Sequence, residues 1–270
     1  MQGRRVGGPL DESATLQDDA IVVIGLGVAM STYETKLIAR DIVAADTMIF
    51  EFERPQGFEF KAGQAIDVIL LETEVAEAKG ARHTFSIVSA PFENKLAIAT
   101  RMRAASTFKL ALKRLMVGTP VRIQGPYGSL TLHDNSRRAA VIIAGGIGIT
   151  PFLSMARQAA NDQSAHYLML VYSNRRPEDA PFLSELTQLE RLNVNFRLVA
   201  TMTQASKSNI HWNGKTGPVD ENLLQQAAGH FPEPVYYVAG PPMFVEAMRA
   251  TLADMGIAES SIHSEDFFGY

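Results

Sequence analysis

Val141-Ile142-Ile143-Ala144-Gly145-Gly146-Ile147-Gly148-Ile149-Thr150-Pro151 reads as an apolar strand running into three glycines, then a threonine and a proline that open an amphipathic helix. Glycines let the backbone approach a pyrophosphate closely, and a helix N-terminus offers unpaired N–H groups and partial positive charge. The proline fits the first helical turn, where its missing N–H has no partner to lose. Gly145, Gly146, Gly148, Thr150 and Pro151 are therefore candidates for holding the phosphates of a dinucleotide. Val238-Ala239-Gly240-Pro241-Pro242-Met243 repeats the form, an apolar strand ending in Gly-Pro at a helix start. If the two strands run parallel, both turns lie at one edge of the sheet, where dinucleotides bind.

Around these turns the chain alternates strand and helix. Strands are expected at 140–144, 166–173, 195–201 and 235–239, and helices near 150–160, 178–192, 220–228 and 242–255. That rhythm predicts a parallel, Rossmann-like sheet with helices on both faces. Upstream the period is different. Met48, Phe50 and Phe52 alternate with Ile49, Glu51 and Glu53, the signature of a half-buried strand. Further strands are expected at 33–40, 64–71, 84–89, 96–101 and 121–124, with one helix at 107–115 capped by Ser106. Six antiparallel strands and one helix predict a small closed barrel. The polar segment His133–Arg138 is the linker candidate, which gives domains at 30–134 and 135–270.

Residues 1–29 form an extension whose first twenty residues are polar and charged, a composition expected to be disordered. The apolar run Ile21–Met30 is too short to span a bilayer, and Asp11, Glu12, Asp18 and Asp19 precede it where a signal peptide would carry positive charge. It reads either as an extra strand or flap on the barrel, or as part of an extension before a natural start at Met30. With 270 residues, 46% of them hydrophobic, the chain fits a soluble, cytoplasmic protein. A net charge of −4 gives no support for nucleic-acid binding. The lack of cysteine excludes disulfides, thiolate zinc sites and cysteine-ligated iron–sulfur clusters within this chain. Six scattered histidines show no metal-ligand spacing, so no metal site is expected.

The barrel carries a second chemical signature. Arg82-His83-Thr84-Phe85-Ser86, continuing to Ser89, presents cations, an aromatic ring and hydroxyls along one strand. Such a strand suits a flavin dinucleotide, with a cation at the pyrophosphate, the ring packed on the ligand and a hydroxyl at the flavin. Ser86 is placed at flavin N5, an atom that accepts a hydrogen bond when oxidised and donates one when reduced; a hydroxyl serves both. Arg103, Ser106 and Thr107 open the barrel's helix, whose free N–H groups suit the same pyrophosphate. Gly125-Pro126-Tyr127-Gly128 makes a tight turn that would close the barrel beside the flavin.

These motifs, in this order, resemble the ferredoxin–NADP⁺ reductase superfamily, in particular two-domain FAD-dependent reductases that feed bacterial oxygenases. The resemblance covers nearly all of residues 33–270. Phe85, Ser86 and Ser89 match the family's R-x-[YF]-[ST]-x-x-S strand, Gly145, Gly146, Gly148 and Pro151 its G-G-x-G-x-x-P loop, and Gly240, Pro241 and Pro242 its C-G-P-P segment. Three positions depart from the pattern. The family arginine falls at His83, and Arg82 cannot replace it because neighbouring strand residues face opposite sides. Ala239 stands where cysteine is usual, and Ala62-Gly63-Gln64 stands for P-G-Q. The resemblance further implies that a C-terminal aromatic stacks on the flavin with an acidic residue nearby. Tyr270 is the candidate ring, Phe267 the reserve, and Glu265 the acid.

Tyr172-Ser173-Asn174-Arg175-Arg176 ends the second parallel strand. Ser173, Arg175 and Arg176 suit a 2′-phosphate better than ribose hydroxyls, which favours NADPH over NADH. Between residues 95 and 122, Lys95, Arg101, Arg103, Lys109, Lys113, Arg114 and Arg122 occur without an acidic residue, a candidate docking stretch for an acidic partner. The expected function is hydride transfer from NAD(P)H to N5 of FAD, then delivery of single electrons to a separate ferredoxin, flavodoxin or oxygenase component. The alternatives are a free-flavin or small-acceptor reductase and, in another class, a non-catalytic FAD-binding assembly subunit. The protein is expected to be a monomer.

Overall fold

The computed structural model describes residues 31–71 and 81–268. The readings of residues 1–29, of the run ending at Met30 and of Tyr270 lie outside these residues. The first half is an antiparallel sheet of β1 (Thr32–Ala44), β2 (Thr47–Glu53), β3 (Ala65–Leu70), β4 (Arg82–Ser86), β5 (Lys95–Arg101) and β6 (Pro120–Tyr127), in the order β4-β3-β6-β1-β2-β5. An antiparallel bridge between Ile87 and Ile98 joins the two ends of that order, so the sheet closes as the six-strand pattern predicts. Phe50, Phe52, Ile66, Val68, Ile98 and Ile123 fill the interior. Helix α1 (Thr107–Arg114) adds Phe108 and Leu112 to the same cluster.

The alternation in β2 has a second consequence. Met48, Phe50 and Phe52 face inward, yet Ile49 on the opposite face is also buried. It joins a cluster that contains Val88, Ala97 and Ala99 of the barrel together with Phe152, Met155 and Ala156 of the second half. The outer wall of the barrel is therefore apolar core on this side, and the two halves share it.

The second half is a parallel sheet in the order β10-β9-β8-β7-β11-β12, built from β7 (Ala140–Gly145), β8 (Leu168–Asn174), β9 (Phe196–Met202), β10 (Lys215–Thr216), β11 (Val235–Gly240) and β12 (Ile262–Asp266). Helices α2 (Thr150–Asn161), α3 (Leu183–Leu192), α4 (Glu221–Ala228) and α5 (Pro242–Asp254) connect the strands. Strands β7, β8 and β11 are buried at every residue, as expected of a sheet covered on both faces. The strand order reverses between β7 and β11, which are paired neighbours. The glycine loop and the Gly-Pro-Pro turn thus flank the topological switch point.

Two elements differ from the sequence reading. Residues 178–192 do not form one helix: a short 3₁₀ turn covers Pro177–Asp179, and α3 begins only at Leu183. Pro181 forces Ala180 out of the helical region, and Phe182 takes a left-handed φ of 62° before the helix starts. The segment before the terminus is a parallel strand, β12, paired with β11 from Tyr236↔Ile262 to Gly240↔Asp266. Its polar alternation resembles a loop in isolation, and only the exposed edge of β11 makes it a strand.

Candidate functional site

Strand β4 presents two chemically distinct faces. His83 and Phe85 share one, with ring centroids 5.1 Å apart, and both rings lie near Phe108 in the first turn of α1, at 5.3 and 5.9 Å. Arg82 and Thr84 point the other way, onto Asp67. Arg82 forms an ion pair with this buried carboxylate, and the Thr84 and Tyr127 hydroxyls donate to it. Burial, with the Lys109 ammonium nearby, holds the His83 imidazole below its ordinary pKa, so it is uncharged at neutral pH. Ser106 caps α1, its hydroxyl accepting from the Lys109 N–H at 3.3 Å, and Thr107 follows as an exposed first helical residue.

A cavity of about 480 Å³ lies between β4 and β12. Arg82, His83, Thr84, Phe85 and Ser86 line one side, and Ala99, Thr150 and the segment Glu265–Phe268 the rest. Burial raises the Glu265 carboxyl above the usual carboxylate range. Thr150 belongs to this cavity and not to the phosphate loop; its hydroxyl donates to the Ile147 carbonyl at 3.0 Å. Ser89 does not reach the cavity. It is fully buried, its hydroxyl accepts from the Ala97 N–H at 3.0 Å, and its carbonyl accepts from the Ser154 hydroxyl at 2.7 Å. The last serine of the motif therefore ties β5 and α2 to the chain after β4.

A second cavity, of about 270 Å³, adjoins the glycine loop. Gly145, Gly146, Ile147, Ser173, Asn174, Arg175, Pro241 and Phe244 line it from the α/β side, and Thr47, Arg101 and Arg103 from the barrel. Gly146 has φ +54° with open space where a side chain would begin, so the backbone here can meet a ligand directly. At Gly148 a Cβ would lie 2.2 Å from the Ala239 carbonyl oxygen, so glycine allows the loop to sit against β11. The Asn174 side-chain amide is buried beside the Tyr172 hydroxyl. Open glycine backbone beside three guanidinium groups fits a phosphorylated ligand.

Not every candidate is brought to a cavity. Arg103, expected beside the FAD pyrophosphate, lines the second cavity. Arg176 is tied to Asp179 at 2.8 Å and Glu178 at 3.3 Å, which leaves Arg175 as the arginine on the cavity wall. Met243 is 84% exposed and lines neither cavity, nor does Pro242. The basic stretch does not form one face: Lys95 pairs with Glu51, Arg122 with Glu34, Lys109 is buried, and Arg101 and Arg103 turn to the cavity. Lys113 and Arg114 stay exposed at the end of α1. Sequence reasoning missed Arg101, Asn174 and Phe244 as cavity residues. Asn174 stood inside a quoted motif and Arg101 inside the basic run, but neither signal said which cavity they would meet.

Comparison with known proteins agrees with this architecture. A family model described as the oxidoreductase NAD-binding domain matches residues 142–250. The ferredoxin–NADP reductase B of Sorangium cellulosum is 28% identical over 87% of this chain and 97% of its own length. The reductase component 1 of terephthalate 1,2-dioxygenase from Comamonas sp. is 23% identical, with 88% of this chain aligned to 69% of the relative. The chain spans 60% of the glycine betaine monooxygenase reductase subunit of Chromohalobacter salexigens, which is 27% identical. Among solved structures, a ferredoxin–NADP⁺ reductase from Neisseria gonorrhoeae with bound FAD and NADP superposes with a TM-score of 0.74, covering 88% of this chain and 99% of the other at 24% identity. Over both halves the chain is similar to ferredoxin–NADP⁺ reductases and to reductase components of oxygenases, and it has their two-part fold. Among the described residues, no helix is long and apolar enough to cross a membrane, and no cluster of three or more His, Cys, Asp or Glu is placed to hold a metal.

Proposed function

We propose that this protein takes hydride from NADPH and delivers electrons singly to a separate ferredoxin, flavodoxin or oxygenase component, with FAD in the barrel of residues 30–134 and NADPH on residues 135–270. One observation carries the reading: the two cavities adjoin along one face of β5. Ala99 lines the first and Arg101, two residues on, lines the second, while the single turn from Gly145 to Thr150 contributes to both. Ser86 would hold the flavin and the glycine loop the nicotinamide cofactor, and the main catalytic task of these residues would be to align the two.

Bound FAD supplies acceptance of an electron pair as hydride and its release one electron at a time. Ser86 would present its hydroxyl to flavin N5, and Glu265, whose carboxyl burial raises above the usual carboxylate range, lines the same cavity. His83, Ser106 and Thr107 hold the FAD pyrophosphate. The loop Gly145–Gly148 and the turn at Gly240 and Pro241 hold that of NADPH, with Ser173 and Arg175 at its adenosine end. These 270 residues contain no cysteine, so a one-electron iron–sulfur acceptor lies outside them.

Purification and anaerobic titration test the proposal. The expected protein is yellow, is bleached by NADPH, and reduces cytochrome c only when a ferredoxin is added. Cytochrome-independent turnover with free flavin identifies a small-acceptor reductase instead. A colourless protein that stays empty with added FAD overturns the assignment.

A further inference from the structure

The second cavity is built by both halves of the molecule. Arg101 ends β5 and Arg103 follows it, whereas Arg175 follows β8. None of these three guanidinium groups makes an ion pair or side-chain hydrogen bond within the described residues. The one carboxylate in the wall, Asp179, has both oxygens occupied by Arg176 at 2.8 Å. Its charge is already matched by a bidentate guanidinium, which weakens its appeal to the ribose hydroxyls of NADH. Arg101, Arg175 and Asp179 line this one cavity, so the two guanidinium groups share a neighbourhood although they come from different halves of the molecule. Asn174 lines the same cavity.

In a doubly wound sheet, the end of the second strand is where the adenosine ribose is recognised. A phosphate on the 2′ oxygen would meet two unpaired guanidinium groups there, each able to make a bidentate contact. A bare hydroxyl would offer neither of them a charge-assisted contact. We propose that Arg101 from the barrel and Arg175 from the α/β domain together grip the 2′-phosphate of NADPH, so that cofactor identity is read across the domain boundary. This rests on the NADPH-dependent reading above. The same grip makes the cofactor a bridge that holds the two cavities in register during hydride transfer.

Calorimetric titration of the FAD-loaded protein with 2′,5′-ADP and with 5′-AMP tests it, since the two probes differ only in the 2′-phosphate. The wild type is expected to bind 2′,5′-ADP at least about tenfold more tightly, the scale of one good charge-assisted contact. Arg101→Gln and Arg175→Gln should each remove most of that preference and change 5′-AMP affinity by no more than about twofold. Arg101→Lys, which keeps charge but loses the fork, should retain part of it, and unliganded melting curves confirm that the variants fold. If Arg175→Gln abolishes the preference and Arg101→Gln leaves it intact, the cross-domain grip is overturned while the NADPH reading stands. If the wild type shows no preference, the NADPH reading fails and the grip with it.

Discussion

At the scale of single residues, strand β4, proposed to hold the flavin, turns on one side chain. His83 occupies the position of the family arginine and shares its face with Phe85 and α1, whereas Arg82 is committed to Asp67 on the other face. An uncharged imidazole offers the FAD pyrophosphate less than a guanidinium would. His83→Arg is expected to tighten FAD binding, by about tenfold if one charge-assisted contact is gained, as read by the recovery of flavin fluorescence on dilution. Unchanged affinity would remove His83 from the pyrophosphate site. Glu265 gives a pH-dependent expectation. Burial raises its pKa in the folded state above the unfolded value of about 4.3, so the folded protein holds this proton more firmly. The stability associated with it is complete below the unfolded pKa and is lost as pH rises through the folded one. Glu265→Gln should therefore melt higher than wild type at pH 8 and converge with it near pH 4; a difference independent of pH would refute this.

Among elements, α1 joins packing to binding. Its apolar residues close the barrel while its capped N-terminus stands beside His83. Loss of the cap in Ser106→Ala should cost about 1 kcal/mol, a fall in melting temperature of roughly 2–4 °C for a chain of this size, together with weaker FAD binding. Full FAD affinity in that variant would make Ser106 a cap and nothing more. Elements also show where sequence reading is reliable. Helices α2, α4 and α5 and the inner parallel strands carry their own start and stop signals, so they lie within two residues of expectation. The break at Pro181 was visible in the sequence, but the apolar spacing on either side of it concealed the interruption. Strand β12 had no internal signal, because its pairing energy comes from β11.

For the whole molecule, the question is how firmly two domains are held around two cavities. Arg157 of α2 donates to the Val88 carbonyl and Glu93 of the barrel, both at 3.2 Å, and to Glu185 of α3 at 2.6 and 2.9 Å. It is 16% exposed, so its removal leaves two poorly solvated carboxylates. Arg157→Ala is expected to cost roughly 3 kcal/mol and to split a single calorimetric unfolding transition into two, as barrel and α/β domain lose their common core. A single, unshifted transition would show that the apolar cluster around Ile49 and Phe152 holds the domains without it.

The sequence alone determined the order of the elements, the barrel-then-parallel-sheet architecture and the two glycine turns at one sheet edge. Those properties reside in contiguous residues: a period of two or 3.6, a cap, a glycine where a helix begins. It also singled out the residues of β4, and it separated Arg82 from His83 by strand alternation. Only the tertiary structure decided that Arg101 and Arg103 meet the glycine loop, that Arg176 is spent on Asp179, that Ser89 is a buried tie, and that the basic run is divided among pairs, core and cavity. Those outcomes depend on distances between residues far apart in the chain. Such distances are set by how the barrel wall packs on α2, which no local pattern encodes.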